Sequence, residues 1–157
     1  MAKIEIQTNS NLQIIGSYAF ECALIEEIYF TANLKELNEG WCHEVDNLKK
    51  IIISPSNDQF IFKNDKYLLG KSDSNNDKFD TLLFVRSDIE EFFIPSNIKV
   101  ITSCAFNRCF NLKKVEIPTK SNLQTIESFV FSISNIKSIF IPSKVSRISE
   151  HAFFNLK

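Results

Sequence analysis

Glycine is scarce in this sequence, with 3 residues among 157. Loops that cradle phosphate groups need glycine for close backbone approach, so the scarcity argues against nucleotide sites of that kind. Positive charge is not in excess either, because the formal net charge is −1, and we expect no nucleic acid partner. No apolar run approaches the roughly 18–20 residues that cross a bilayer, so we expect no membrane insertion.

Cysteine occurs four times, but never in a Cys-x-x-Cys pattern. The first residues of the chain also lack the apolar core of a secretory signal peptide, which leaves the localisation open and makes a disulfide framework unexpected. We therefore expect Cys22, Cys42, Cys104 and Cys109 to be buried, unreactive thiols.

Motifs of nucleophilic, phosphate-binding or zinc-dependent enzymes are absent, and the chain has only 2 histidines. Asp73, Asn75 and Asp77 begin a calcium-loop pattern, but Lys78 occupies the place of the required glycine. Phe84 occupies the place of the closing glutamate, so a solvated loop is the better interpretation. The sequence predicts no catalytic, cofactor-binding or metal-binding residue, and a protein that is not an enzyme.

Six pairs of apolar residues, each split by one residue, recur along the chain. The pairs are Ile4/Ile6, Ile28/Phe30, Ile51/Ile53, Phe92/Ile94, Val115/Ile117 and Ile139/Ile141. Their first members are 24, 23, 41, 23 and 24 residues apart, so the long step equals one repeat plus an insertion of about 18 residues. Residues 4–37 also align with residues 115–148 without a gap. Such a period is typical of a stacked-repeat protein.

A small residue followed by a large one marks a second recurring position, as in Ala19-Phe20, Ala105-Phe106 and Ala152-Phe153. The small residue lets the chain turn close to the core, which the phenyl ring then fills. At about 1.5–3 kcal/mol for each buried side chain, one repeat cannot offset the ordering entropy of its own residues. The repeats must therefore stack, and we expect a single solenoid domain over residues 1–157.

Each apolar pair predicts a short strand, with the pair pointing inward and its neighbours outward. Pro95, Pro118 and Pro142 directly follow three pairs and should end the ladder, because proline has no N–H to donate. Strands one repeat apart then form a parallel sheet on one face. The Ala-Phe segments are too short for full helices, so we expect short helical or 3-10 turns on the other face.

Residues 54–88 interrupt the pattern. Residues 59–62 and 67–69 flank a polar turn and predict a hairpin, and residues 81–85 predict a further strand. We expect an inserted β-hairpin or meander, about residues 54–88, that projects from the array.

The segment from Ile101 to Pro118 reads Ile-x-x-x-Ala-Phe-x-x-Cys-x-x-Leu-x-x-Val-x-Ile-Pro. This pattern resembles the BspA-like leucine-rich repeat family, and the resemblance extends over almost the whole chain. It implies a β-rich leucine-rich-repeat solenoid of the α/β horseshoe class. Family members are often surface or secreted proteins associated with adhesion, so the resemblance also implies a protein ligand and a cell-surface location. The shared motif is a packing motif and implies no catalytic residue.

The outward positions of the strands are the best candidates for a partner-binding face. Stacking should bring Tyr29, Ile52 and Phe93 into one apolar row, because each lies between the two residues of an inward pair. Rows of large apolar residues that face water usually mark a contact surface. The predicted face comprises Tyr29, Ile52, Phe93, Phe140, Lys50 and Glu116. The alternative is that the insertion or a neighbouring repeat covers the row and makes it a satellite core.

Two functions are consistent with these patterns. The first is a non-catalytic, protein-binding or adhesion-type repeat platform of the surface-antigen kind. The alternative is a structural spacer array within a longer surface or intracellular protein, with the ligand site elsewhere.

Overall fold

The computed structural model describes residues 4–156, and within that range the chain forms twelve β-strands. The strands are β1 (Ile14–Ile15), β2 (Glu27–Phe30), β3 (Glu36–Leu37), β4 (Lys50–Ile53), β5 (Phe60–Lys63), β6 (Tyr67–Gly70), β7 (Thr81–Val85), β8 (Glu91–Phe93), β9 (Val100–Ile101), β10 (Lys114–Glu116), β11 (Thr125–Ile126) and β12 (Arg147–Ile148). Residues 4–156 contain neither α-helix nor 3-10 helix. Accordingly, this part of the chain has no helix of the length and apolarity that crossing a membrane requires.

The apolar pairs form a first column of strands, as the spacing predicts. Strands β2 and β4 pair in parallel with Ile28 beside Ile51, and both side chains are buried. Strands β8 and β10 pair in the same way, with Phe92 beside Val115. The outermost apolar pairs pack partly buried against the core without forming a strand: Ile4, Ile6, Ile139 and Ile141. This face therefore carries two separate two-stranded parallel sheets.

A second column of strands lies on another face of the solenoid, and the sequence did not indicate it. Strand β1 pairs with β3, β9 with β11, and β11 with β12, all in parallel. Each of these strands is two residues long, and the second residue is buried at Ile15, Ile101 and Ile126. Parallel strands thus lie on two faces of the solenoid, where the sequence predicted a sheet on one.

The Ala-Phe segments are not helical among the described residues, so the expectation of helical or 3-10 turns is not met. The amide of Ala105 donates to the carbonyl of Thr102 at 3.2 Å, and the amide of Asn107 donates to that of Cys104 at 2.9 Å. These two bonds close successive β-turns. Cys104 and Arg108 have φ angles of 66° and 56°, and such left-handed residues interrupt a right-handed helix. We call this segment and its equivalents the turn ribbons: residues 18–22, 40–44, 104–108, 129–133 and 151–155.

Other amides of the turn ribbons at residues 18–22, 104–108 and 129–133 bind the next turn of the solenoid. Three donors from one ribbon reach three carbonyls of the following ribbon: Cys104 to Ser128 at 3.2 Å, Phe106 to Val130 at 2.9 Å and Arg108 to Ser132 at 2.9 Å. The same bonds link residues 18–22 to residues 39–43. Backbone groups therefore join consecutive turns along the ribbons as well as along the strands.

The inserted meander lies between two parts of the core and does not project from the array. Strands β5, β6 and β7 are antiparallel neighbours, and β7 pairs in parallel with β9. All five residues of β7 are buried. Phe60 and Leu68 join the core of the first turns, whereas Leu69 and Leu82 join the core of the later ones. A strand apolar on both sides needs cover on both faces, which a projecting hairpin would not have. The assignment of the chain to one domain stays a prediction.

Stacked phenyl rings form the centre of the later turns. The ring centroids of Phe106 and Phe131 are 5.0 Å apart, and those of Phe131 and Phe153 are 5.4 Å apart. Phe92 meets Phe106 edge-on at 5.2 Å. Phe106 and Phe131 are 0% exposed, and the small Ala105 before Phe106 lets the backbone come close to the core.

We expect Phe106→Ala to lower the free energy of unfolding by about 3–5 kcal/mol, because it leaves a cavity between two rings. Chemical denaturation followed by circular dichroism measures this loss. Phe93→Ala is the matched control, because Phe93 is 60% exposed and should change stability by about 0.5 kcal/mol or less. Equal losses in the two variants would contradict the assignment of Phe106 to the core.

A buried carboxylate fixes the loop between β6 and β7. Asp80 accepts hydrogen bonds from the amide and the hydroxyl of Ser72, both at 2.9 Å. Its carboxylate also pairs with the Lys99 ammonium at 2.8 Å, and the Asp80 side chain is 2% exposed. Burial acts to raise the pKa of Asp80, but the bonds from Lys99 and Ser72 outweigh it and hold the pKa below its ordinary value.

The folded-state pKa of Asp80 lies below the ordinary aspartate pKa of about 4. The Asp80 carboxylate therefore stabilises the fold fully above that ordinary pKa, and this stabilisation is lost as the pH falls through the folded-state pKa. Asp80→Asn should destabilise the protein by about 1–3 kcal/mol at neutral pH. The difference from the parent should shrink in acid, as denaturant titrations from neutral to acidic pH would measure. A difference that stays constant over that range would contradict the argument.

Candidate partner-binding face

The outward residues of β2 and β4 form a first patch. Tyr29 lies directly beside Ile52 in the ladder, and both side chains are half-buried. Lys50 donates to Glu27 at 2.8 Å across the same two strands. A shallow groove of about 340 Å³ lies next to Tyr29 and Ile52 and continues to residues 4–8. Three predicted residues, Tyr29, Ile52 and Lys50, are thus brought together.

The outward residues of β8 and β10 form a second patch together with Phe140, and we call it the phenylalanine patch: Phe93, Glu116 and Phe140. Phe93 lies beside Glu116 in the ladder, and Phe140 follows one turn later. The two rings are 60% and 61% exposed and line one groove of about 400 Å³ with Glu116 between them. Lys114 forms an ion pair with Glu116, so the groove contains a paired carboxylate flanked by two phenyl rings.

The predicted single row of Tyr29, Ile52 and Phe93 is interrupted. Tyr29 and Ile52 belong to the sheet of β2 and β4, and Phe93 belongs to the sheet of β8 and β10. No described ladder joins the two sheets, because the meander follows β4 and its first strand, β5, contacts β4. The face therefore divides into two patches, of which the phenylalanine patch is the more exposed.

Three of the four cysteines are buried, and the fourth is not. Burial raises the pKa of Cys104 to about 12 and raises those of Cys42 and Cys109 as well. Cys22 is exposed, contrary to expectation, and donates to the Glu44 carboxylate at 3.4 Å. That bond is the main reason why the pKa of Cys22 is raised, so this thiol is poor in thiolate at neutral pH.

The two histidines lie in different turn ribbons. Nδ1 of His43 is 3.0 Å from Glu21, whereas the ring of His151 stacks on Phe129 with centroids 5.0 Å apart. Within residues 4–156, no three or more His, Cys, Asp or Glu side chains are grouped so that they could hold a metal ion. Neither histidine is positioned against a nucleophile by any contact of the described residues.

A polar cleft on the second face was not anticipated from the sequence. It has a volume of about 560 Å³ and lies between the end of β3 and the residues that follow β9, β11 and β12. Ser103 binds both of its acidic walls: its hydroxyl is 3.4 Å from Glu39 and 3.3 Å from Glu127. The residues involved are far apart in sequence and share no motif, so no local signal could have revealed the cleft.

Comparison with known proteins identifies the repeat. The sequence profile of the BspA-type leucine-rich repeat region matches residues 1–69 and 71–157 in six copies. No curated protein matches the chain.

Three solved structures are similar to this one. A leucine-rich repeat protein from Eubacterium ventriosum shares 26% identity at a TM-score of 0.74 over 87% of this chain and 35% of its own. The pneumococcal vaccine antigen PcpA shares 21% identity at 0.71 over 93% and 40%. A leucine-rich cell surface protein from Faecalibacterium prausnitzii shares 19% identity at 0.59 over 91% and 48%. The chain thus spans less than half the length of each structure that it matches.

Cysteine labelling tests the burial described above. Iodoacetamide should modify Cys22 alone in the native protein, and slowly, because the pKa of Cys22 is raised. Mass spectrometry after labelling in denaturant should show all four thiols modified. Cys22→Ser should abolish native labelling, and modification of Cys104 at the rate of Cys22 would contradict the burial of Cys104.

Proposed function

Because the chain belongs to the BspA-type leucine-rich repeat family, we propose that it is a non-catalytic platform that binds a protein partner through its outward strand face. The phenylalanine patch is the main contact, and the patch formed by Tyr29, Ile52 and Lys50 is a second one. The solenoid supplies rigid strands, and the outward side chains supply the recognition.

The observation that carries the proposal is the pair of exposed phenyl rings in one groove. Single exposed apolar residues are common on protein surfaces, but Phe93 and Phe140 share a groove on the same face of the array. Aromatic anchors contribute much of the binding energy in protein interfaces. Glu116, which lines the groove with the two rings, can exchange its ion pair with Lys114 for a bond to a partner's polar group.

The similar structures support a platform of this kind. One is a vaccine antigen and another is a cell surface protein, so a surface location and an adhesive role are part of the proposal for this chain. The spacer function is the second candidate, because this chain matches only 35–48% of the similar structures. In that case the six repeats would hold another part of a longer protein at a distance, and neither patch would bind.

The proposal is tested with a variant that removes both rings, Phe93→Ser with Phe140→Ser. A protein captured from the extracellular fraction of the source by the unaltered chain is purified, and its dissociation constant is measured against each variant. We expect at least about tenfold weaker binding to the double variant, since an aromatic hot spot contributes more than 1 kcal/mol. Tyr29→Ser with Ile52→Ser should weaken binding less, because these side chains are half-buried.

The matched control is Leu24→Ser with Phe110→Ser, which removes two exposed apolar side chains elsewhere on the surface. It should leave the dissociation constant unchanged, and circular dichroism should show that all variants fold. Equal affinity for the parent and for both patch variants would refute the proposed contact and favour the spacer function.

A further inference from the structure

We propose that the polar cleft on the second face binds an arginine side chain carried by an extended segment of a protein partner. This cleft is the cavity of about 560 Å³ beside Ser103. It shares no lining residue with the phenylalanine patch, so the site is independent of the proposed partner-binding face.

The cleft lies where the meander interrupts the second strand column. Strand β3 pairs with β1 on one side, and no described ladder covers its other edge. The next strands of the column, β9 and β11, belong to the six-stranded sheet that contains the meander. The end of β3 forms one wall of the cleft, and residues that follow β9 and β11 form the opposite wall. The opening is therefore an interior feature of the stack, with turns on both sides of it.

Backbone amides of the β3 wall point toward this opening. The amides of Glu36 and Asn38 donate to β1, so the amide of Leu37 between them points to the opposite side. The amide of Gly40 makes no hydrogen bond within residues 4–156, whereas the equivalent amide of Cys104 donates to the following turn ribbon at 3.2 Å. Leu37 and Gly40 both line the cleft, so carbonyl oxygens of an added extended segment would have donors to accept from.

A buried side-chain donor at the cleft also lacks a partner. Trp41 lines the cleft and is 2% exposed, and its indole N–H has no hydrogen-bond partner in the described part of the chain. A buried donor without an acceptor costs free energy, which an acceptor entering the cleft beside Trp41 would recover. A peptide supplies one carbonyl acceptor with every residue, whereas a metal ion supplies none.

The opposite wall and the end of β3 together require a cation. Glu39 and Glu127 both lie within 3.4 Å of the Ser103 hydroxyl oxygen, which carries a single proton. The Ser103 amide donates to Glu127 at 2.9 Å, but neither carboxylate forms an ion pair within residues 4–156. Arg147 is the one basic residue among those lining the cleft, which include three glutamates. The cleft therefore retains an excess of negative charge.

Arginine in an extended segment meets both requirements. A planar guanidinium has five N–H donors and can bond two carboxylates at once, as the pair of Glu39 and Glu127 demands. The cleft also continues into a groove of about 300 Å³, since the two share Leu37, Thr102 and Glu127. The buried Thr81 hydroxyl, which lines this groove, has no hydrogen-bond partner in the described residues. The space is thus longer than one side chain and suits a peptide.

The test uses the single tryptophan of the chain as a reporter. A short threonine peptide with one central arginine and blocked ends is titrated into the protein up to millimolar concentration. The one indole N–H resonance, that of Trp41, should shift progressively and yield a dissociation constant. The same peptide with glutamate in place of arginine should cause no shift. An unmoved resonance with the arginine peptide, or equal shifts with both peptides, would overturn the proposal.

A double variant removes the charges that the guanidinium would meet. Glu39→Gln with Glu127→Gln keeps the size of both side chains and should weaken binding at least about tenfold, because hydrogen bonds to charged groups are the stronger ones. The matched control is Glu90→Gln with Glu91→Gln, which removes two negative charges outside the cleft and should bind like the parent. Equal affinity of the two double variants would show that the carboxylates of the cleft are not the contact.

Two measurements on the unaltered protein complete the test and do not depend on variants that fold. Added salt should weaken binding of the arginine peptide, since unlike charges meet, and affinity that is independent of salt would contradict the ionic contact. Free arginine amide should bind more weakly than the peptide, because it cannot reach the donors along β3. Equal affinity for the two probes would overturn the assignment of the site to an extended segment.

Discussion

The stability of this protein depends on each turn being covered by the next. A side chain such as Ile126 is fully buried because turns lie on both sides of it, whereas Ile148, in the same position of the last turn, is half-exposed. No turn could bury its own apolar residues, because each contributes only a few inward side chains. The hydrogen bonds between turns, the phenyl column and the exposed outward faces are all consequences of this stacking.

The meander modifies the stack without ending it. Strand β7 takes the place of a repeat strand by pairing with β9, and the two faces of the meander join the cores on either side. The same insertion divides the first strand face into two sheets and separates Tyr29 from Phe93. The meander therefore keeps the core continuous but interrupts the outward strand face. As a result, the phenylalanine patch is separate from the patch of Tyr29 and Ile52.

The repeat period predicted the register of the first strand face, including Ile28 beside Ile51, because burial at alternate positions leaves a strong pattern. It did not predict the second strand column, since strands such as Val100–Ile101 contribute a single inward residue and show no alternation. The ribbon geometry was missed because left-handed residues such as Phe129 and His151 are not glycine and leave no sequence signal. Residues 82–85 are all apolar, and such an unbroken run is typical of a strand that is covered on both faces, whereas the expectation of a projecting hairpin took no account of it. The exposure of Phe93 and Phe140 followed from strand alternation, whereas the cleft beside Ser103 depends on residues brought together only by the fold.

The left-handed residues of the turn ribbons have a consequence for divergence within this fold. Turns are tied together there by main-chain groups, which every amino acid except proline supplies in full. Positions such as Tyr18, Cys104, Phe129 and His151 share one backbone geometry while carrying unrelated side chains. Side chains at these sites can therefore change with little effect on how the turns connect. A scaffold linked in this way can retain its path while its sequence drifts, which agrees with the 19–26% identity of proteins that share the fold.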